Sequence, residues 1–179
     1  RAFSLIYFDI NMVKPLNDVL GYRVGDQVIV LLAELLKEVF HASDDFVGHI
    51  GGDDFVVISS SSSANYNAGT VQSLFAERSR RFYSDCILKS GFIESEDRNG
   101  QPCRFPLVSL SAGTVEVGPD EKVTADQISE LASFAKTRAK ASPNFRFVVF
   151  SRARSGERSK GSQDSDGSCV SCVLGEVQN

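Results

Sequence analysis

Apolar residues fall along this chain in two rhythms. Phe3 to Ile10 is a short apolar, aromatic-rich run closing around Asp9, which predicts a buried strand. Lys14 to Leu20 predicts a short helix stopped by Gly21. Beyond Gly25-Asp26, the residues Val28, Leu31, Leu32, Leu35, Leu36 and Val39 recur at helical spacing, and Asp26 is placed to cap that longer helix. Phe46 to Ile50 and Phe55 to Ser60 read as two strands, joined as a hairpin through Gly51-Gly52-Asp53-Asp54. Ser59 to Ser63 is a polar loop, and Val71 to Tyr83 has the pattern of another amphipathic helix. Gly91 to Ser95 and Arg104 to Phe105 predict short strands around an Asn99-Gly100 turn. Leu107 to Val117 predicts a long strand, Ala125 to Ala141 a helix, and Phe145 to Phe150 a closing strand. Alternating strands and helices of this kind predict an α/β sandwich with helices packed on a central sheet.

Composition narrows this further. A length of 179 residues with 42% apolar content suits one domain with a sizeable core. From Arg152 onward Ser, Gly, Arg, Lys, Asp and Gln dominate, so residues 1–151 are expected to form the domain and 152–179 a disordered polar tail. A net charge of -4 argues against a surface that grips a nucleic acid polymer, which needs a basic face. It leaves room for a small nucleotide, because a few local cations and a metal can outweigh the overall charge. No apolar run is long enough to cross a bilayer, and no signal peptide precedes the first strand, so no membrane contact and a cytoplasmic setting are expected. The chain opens directly on a strand, which suggests a piece of a longer protein. Cys86, Cys103, Cys169 and Cys172 are unevenly placed and give no disulfide framework. Cys169 and Cys172 form a Cys-x-x-Cys pair without further ligands, and read as two cysteines of the tail rather than a metal or redox site.

Two acidic points carry the candidate chemistry. Asp9 ends a buried strand, where an isolated carboxylate is costly unless a cation or hydrogen bonds meet it. Asp53 and Asp54 follow two glycines, which let a backbone approach a ligand closely and offer amide N–H groups to phosphate oxygens. If the hairpin pairs beside the first strand, Asp9 and Asp53 converge, and two hard carboxylates can hold Mg²⁺ while leaving positions for phosphate and water. Each signal alone also fits a plain tight turn or a capping residue.

The motifs taken together resemble the GGDEF family. Its first motif, Asp-x-Asp-x-Phe-Lys-x-x-Asn-Asp followed by a Gly-Asp pair, is matched by the ten residues Asp9 to Asp18 and by Gly25-Asp26. The signature itself appears as Gly51-Gly52-Asp53-Asp54-Phe55, and the likeness covers roughly Phe3 to Phe150. The segments Phe46 to Ile50, Gly91 to Ile93, Asp97 to Gly100 and Pro106 to Ser111 are most similar to GGDEF domains at the end of EAL–CBS–GGDEF proteins. The resemblance implies a central, mostly antiparallel sheet flanked by helices, the palm-like fold of nucleotidyl cyclases. It also implies a diguanylate cyclase, condensing two GTP into cyclic di-GMP and pyrophosphate with Mg²⁺ (Mn²⁺ as a substitute). The metal ions would be held by Asp9, the Ile10 carbonyl and Asp53. Asn17 and Asp26 would read guanine, while Lys14, Gly51 and Gly52 would contact the nucleotide. Asp53, Asp54 and Lys140 would be catalytic, with Lys136, one turn earlier, as the alternative match for the family's late lysine. One domain supplies one GTP, so turnover needs a homodimer, and the resemblance implies fused N-terminal regulatory domains.

Departures from the pattern bear on activity. Asn11 stands for the motif's second aspartate, Val13 for its phenylalanine, Asp54 for the usual glutamate, and Asn144 for an arginine. They leave open a degenerate domain that binds GTP without turnover and regulates an attached phosphodiesterase or signalling module. The family's Arg-x-x-Asp inhibitory site would fall at Ala42-Ser43-Asp44-Asp45, without its arginine.

Overall fold

The computed structural model describes residues 2–60, 62–97, 99–119, 124–141, 148–152 and 170–173. Strand β1 (Phe3–Asn11) leads through Met12 into α1 (Val13–Leu20) and α2 (Tyr22–Val39). The hairpin β2 (Phe46–Gly51) and β3 (Asp54–Ser59) follows, then α3 (Ala64–Arg78), a 3-10 turn (Ser79–Phe82) and α4 (Asp85–Ser90). A small hairpin, β4 (Phe92–Glu96) and β5 (Pro102–Pro106), stands apart from the main sheet. The chain then returns as β6 (Ser109–Val117), α5 (Ala125–Ala141), β7 (Val148–Arg152) and β8 (Val170–Val173).

The main sheet has the order β2-β3-β1-β6-β7-β8. Every neighbouring pair is antiparallel except β6 and β7, whose parallel pairing is reached through α5 as the crossover helix. The expected α/β class and mostly antiparallel sheet are what the structure has. Residue alternation sorts β1 into two faces. Ile6, Phe8 and Ile10 join Phe55, Val57, Leu110 and Ala112 in a core with Leu31, Leu32 and Leu35 of α2 and Val71 and Phe75 of α3. The opposite face carries Tyr7 and Asp9, and α5 packs against β1 and β6.

Several boundaries differ from the sequence pattern. Asp26 does not cap α2, which starts at Tyr22 after Gly21 and leaves Asp26 exposed inside the helix. The reason is Gly21, at φ 87°: its N–H closes α1 on the Asn17 carbonyl (2.9 Å) while its own carbonyl already accepts from Val24 (3.0 Å). One residue therefore ends one helix and begins the next. Helix α3 starts at Ala64 rather than Val71, because Ala64 and Ala68 extend the buried stripe of Val71 and Phe75. It stops at Arg78, and a 3-10 turn covers the rest of the expected helix. Helix α4 was not foreseen; Ser84 caps it and Gly91, at φ 76°, ends it. Strand β6 begins at Ser109 rather than Leu107, where Val108 instead donates its N–H to the buried Tyr83 hydroxyl (2.9 Å). The closing strand is Val148–Arg152, and residues 142–147, with Asn144, lie outside the described residues. Within the expected tail, Val170–Val173 pairs with β7, whereas residues 153–169 and 174–179 lie outside the described residues.

Gly113 sets how closely α5 approaches the sheet. A Cβ there would stand 2.6 Å from both the carbonyl carbon and oxygen of Ala135, which are backbone atoms and cannot turn aside. Gly113→Ala is accordingly expected to lower stability by about 1–3 kcal/mol. Denaturant unfolding read by circular dichroism checks this, and an unchanged midpoint would mean that α5 sits less tightly.

Candidate metal and nucleotide site

Strand pairing builds the site. In the β1–β3 register Asp9 lies directly opposite Asp54, so both carboxylates share the face covered by α5. The turn before β3 is fixed from two sides: Ile10 donates its N–H to the Asp53 carbonyl (3.2 Å), and His49 Nε2 donates to the Gly52 carbonyl (2.9 Å). The His49 ring also stacks on Phe55 with centroids 4.3 Å apart. Gly52 takes φ 58°, a left-handed conformation that favours glycine, and a Cβ on Gly51 or Gly52 would meet open space. The turn therefore presents a bare backbone. Carboxylate oxygens of Asp9, Asp53 and Asp54 all come within 4.8 Å of one another. Asp9 is buried at 2% exposure, and Asp53 and Asp54 are half-buried. Three hard oxygen donors at that separation fit a divalent ion of the Mg²⁺ or Mn²⁺ kind.

Helix α5 brings the balancing charge. Lys136 Nζ lies 2.6 Å from Asp54 Oδ1 and 3.0 Å from Asp9 Oδ2, and Lys140 Nζ lies 2.6 Å from Asp9 Oδ1. Residues four apart share a helix face, so the two lysines that sequence matching set as alternatives both reach Asp9. Lys136 also lies 5.0 Å from the centre of the Tyr7 ring. Burial, then the hydrogen bond with Asp54, push Asp9 up to about 6 against the pull of both lysines. Asp54 is also raised by burial, but its bonds to Asp9 and Lys136 more than offset this and leave it below the usual carboxylate range. Burial works against the Lys136 ammonium, yet Asp54 and Asp9 together hold its pKa well above the ordinary value. Burial, then Asp54, raise the Tyr7 phenol.

Asn11 explains one departure. It is 6% exposed, and its Nδ2 donates to Ser111 Oγ (2.8 Å) and Ser109 Oγ (3.2 Å) on β6. An amide there is tied to the neighbouring strand. The signal was present in the spacing of Ser109 and Ser111, but only the β1–β6 register gives it meaning.

The remaining predicted residues lie on α1 and α2. Asn17 is half-buried, and its Oδ1 is buried without a hydrogen-bond partner among the described residues. Its side chain fills the space beside Gly25, where a Cβ would stand 1.9 Å from that oxygen. Glycine is thus needed at position 25 because Asn17 occupies the place of a side chain. Asp26 is exposed and lines a cavity of about 410 Å³ with Arg23, Gln27, Arg81 and Phe82. Lys14 is exposed and forms an ion pair with Asp18 (2.7 Å) one turn along α1. Downstream, Asp45 Oδ2 accepts the Ala42 N–H (3.0 Å), so the carboxylate at the expected inhibitory position closes its own loop. Among the described residues no helix is long and apolar enough to cross a membrane.

Known proteins resemble this chain in sequence and in fold. Residues 1–86 match the family model described as diguanylate cyclase, GGDEF domain. The chain is 41% identical over 64 residues to the probable diguanylate cyclase DgcC of Escherichia coli, covering 36% of this chain and 17% of that protein. It is 26% identical over 137 residues to the diguanylate cyclase DosC of Shigella sonnei, covering 76% of this chain and 27% of that protein. The chain therefore spans less than a third of these relatives. In fold it is similar to the coiled coil and GGDEF domain of DgcB from Caulobacter crescentus, solved in complex with c-di-GMP. There the TM-score is 0.57 at 22% identity, covering 83% of this chain and 69% of that one. The active GGEEF domain of a diguanylate cyclase from Vibrio cholerae gives a TM-score of 0.54 at 21% identity, covering 83% of each chain. Residues 1–86, which hold both the Asp9 motif and Gly51-Gly52-Asp53-Asp54-Phe55, match the GGDEF domain family, and part of the chain is similar in sequence to diguanylate cyclases.

Proposed function

We propose that this chain joins two GTP molecules into cyclic di-GMP, releasing pyrophosphate. The observation that carries the reading is the convergence of Asp9, Asp53 and Asp54 with Lys136 and Lys140 at one end of the sheet. Asp9, Asp53 and the Ile10 carbonyl would hold Mg²⁺ or Mn²⁺, which when bound supplies Lewis-acid stabilisation of charge at the reacting phosphate. The bare Gly51-Gly52 backbone gives the triphosphate room to approach, and the α5 lysines offer it positive charge. Lys14, paired with Asp18 one turn along α1, would offer the nucleotide a further cation. Asn17 and Asp26 select the base. Asp54, whose carboxylate lies beside those of Asp9 and Asp53, would act as a further metal ligand or as a proton acceptor. Each domain supplies one GTP, so the reacting 3′-hydroxyl and α-phosphate meet only when two copies face each other as a homodimer. The cyclase domain would belong to a longer cytoplasmic protein and be fused to regulatory modules, with Val170–Val173 adding a strand to its sheet beyond residues 1–151.

Incubating the protein with GTP and Mg²⁺ and separating products by chromatography tests the reading; product identified as cyclic di-GMP supports it. A second reading, GTP binding without turnover in the service of an attached enzyme, is favoured by Asn11, whose amide is tied to Ser109 and Ser111 where the family has a carboxylate. GTP binding with no product from a forced dimer would favour it.

Feedback by the product is expected to be absent at the Ala42 to Asp45 loop. Alanine replaces the arginine whose planar fork would grip phosphate or a guanine edge, and one oxygen of Asp45 accepts the Ala42 N–H. Titration of the GTP-free protein with cyclic di-GMP is expected to show no tight site here. Submicromolar binding that vanishes in Asp45→Ala would refute this.

A further inference from the structure

We propose that a divalent ion enters the Asp9–Asp53–Asp54 cluster by exchange with Lys136, which gives up both Asp9 and Asp54 as the ion binds. The inference rests on the metal-binding reading above and concerns a residue whose position the structure fixes. Lys136 is the one described cation that bridges two strands of the cluster, touching Asp9 Oδ2 on β1 and Asp54 Oδ1 on β3 at 3.0 and 2.6 Å. An Mg²⁺ ion sits about 2.0–2.1 Å from its oxygen ligands. An ion using those oxygens would therefore stand against the ammonium group with no water between, a like-charge contact in a half-buried site where screening is weak. That repulsion favours the departure of one of the two.

Lys140 faces no such conflict. Among the described residues it forms an ion pair with Asp9 alone, through the other oxygen, and its side chain is 42% exposed against 25% for Lys136. It can lean into solvent while an ion is bound. Lys136 has a flexible four-carbon stem but little free surface, so it needs a new partner once displaced. A triphosphate arriving with the ion supplies that partner. Exchange thus makes the protein bind a bare divalent ion weakly and couples ion binding to nucleotide binding, since each makes the other easier.

Titrating the nucleotide-free protein with MnCl₂ by calorimetry tests this, comparing wild type, Lys136→Met and Lys140→Met. Exchange predicts that Lys136→Met tightens Mn²⁺ binding about tenfold, within the usual range of coupling between sites, and Lys140→Met clearly less. Equal tightening in both variants would mean a diffuse charge effect, and no tightening a purely structural lysine; either overturns exchange while leaving metal binding intact. If no form binds Mn²⁺, the metal reading fails and exchange with it. A measurement on the unmutated protein guards against a misfolded variant. Brief acetylation with acetic anhydride, located by mass spectrometry, should label Lys136 faster at saturating Mn²⁺ without nucleotide than in the metal-free protein, with Lys140 changing little. Labelling of Lys136 that is unaffected by Mn²⁺ alone would also overturn exchange.

Discussion

Asp53→Ala and Asp9→Ala are each expected to abolish formation of cyclic di-GMP while leaving the fold in place. Metal charge stabilisation is worth several kcal/mol, so losing a ligand should cost roughly 10³-fold or more in rate. The fold survives for local reasons. Asp53 lies in a turn held by the Ile10 N–H and by His49 through backbone carbonyls, which the substitution keeps. Asp9 is buried, but its removal leaves Lys136 on Asp54 and lets Lys140 turn to solvent, and it relieves crowding among the carboxylates. Product chromatography at saturating Mg²⁺, with a thermal melt of each variant, is the measurement. Wild-type turnover by either folded variant would sink the proposed ligand set.

Base selection is the second large effect. GTP is expected to bind far more tightly than ATP, and Asp26→Ala to weaken GTP by about ten- to a hundredfold while narrowing that gap. Guanine carries N1–H and N2–H₂ donors, which a carboxylate and an amide oxygen accept. Asn17 Oδ1 is a buried acceptor without a hydrogen-bond partner among the described residues; it lies beside Gly25, the residue before Asp26, whose side chain is exposed and lines a cavity on α2. Adenine offers a different edge and would leave these acceptors unpaired, which is a strong means of rejection. Gly25→Ala should act in the same direction without touching the base, because its methyl would displace the Asn17 amide. Calorimetry with non-hydrolysable analogues of both nucleotides decides the matter. Equal affinities in the wild type would remove Asn17 and Asp26 from the base-reading role.

Elements whose signal is local could be read from the amino-acid pattern. The apolar run of β1, the heptad-like stripe of α2, the glycine turn before β3 and the limits Ala125–Ala141 of α5 were all legible, because each depends on residues within a few positions of one another. The paired motifs around Asp9 and Asp53 also pointed to one site before any geometry was known. Tertiary structure decided the rest. The start of α3 depended on two alanines that look indifferent until β6 and α2 cover them. The meaning of Asn11 depended on a strand about a hundred residues away in sequence, since its Ser111 partner is separated from it by 100 positions. Two lysines seemed to compete for one role, and the structure gave both to Asp9 while letting only Lys136, 82 positions from Asp54, bridge two strands. Periodicity records which way a side chain faces within its own element. It carries no record of which distant element arrives opposite, and the charge balance of this site is made entirely by that arrival.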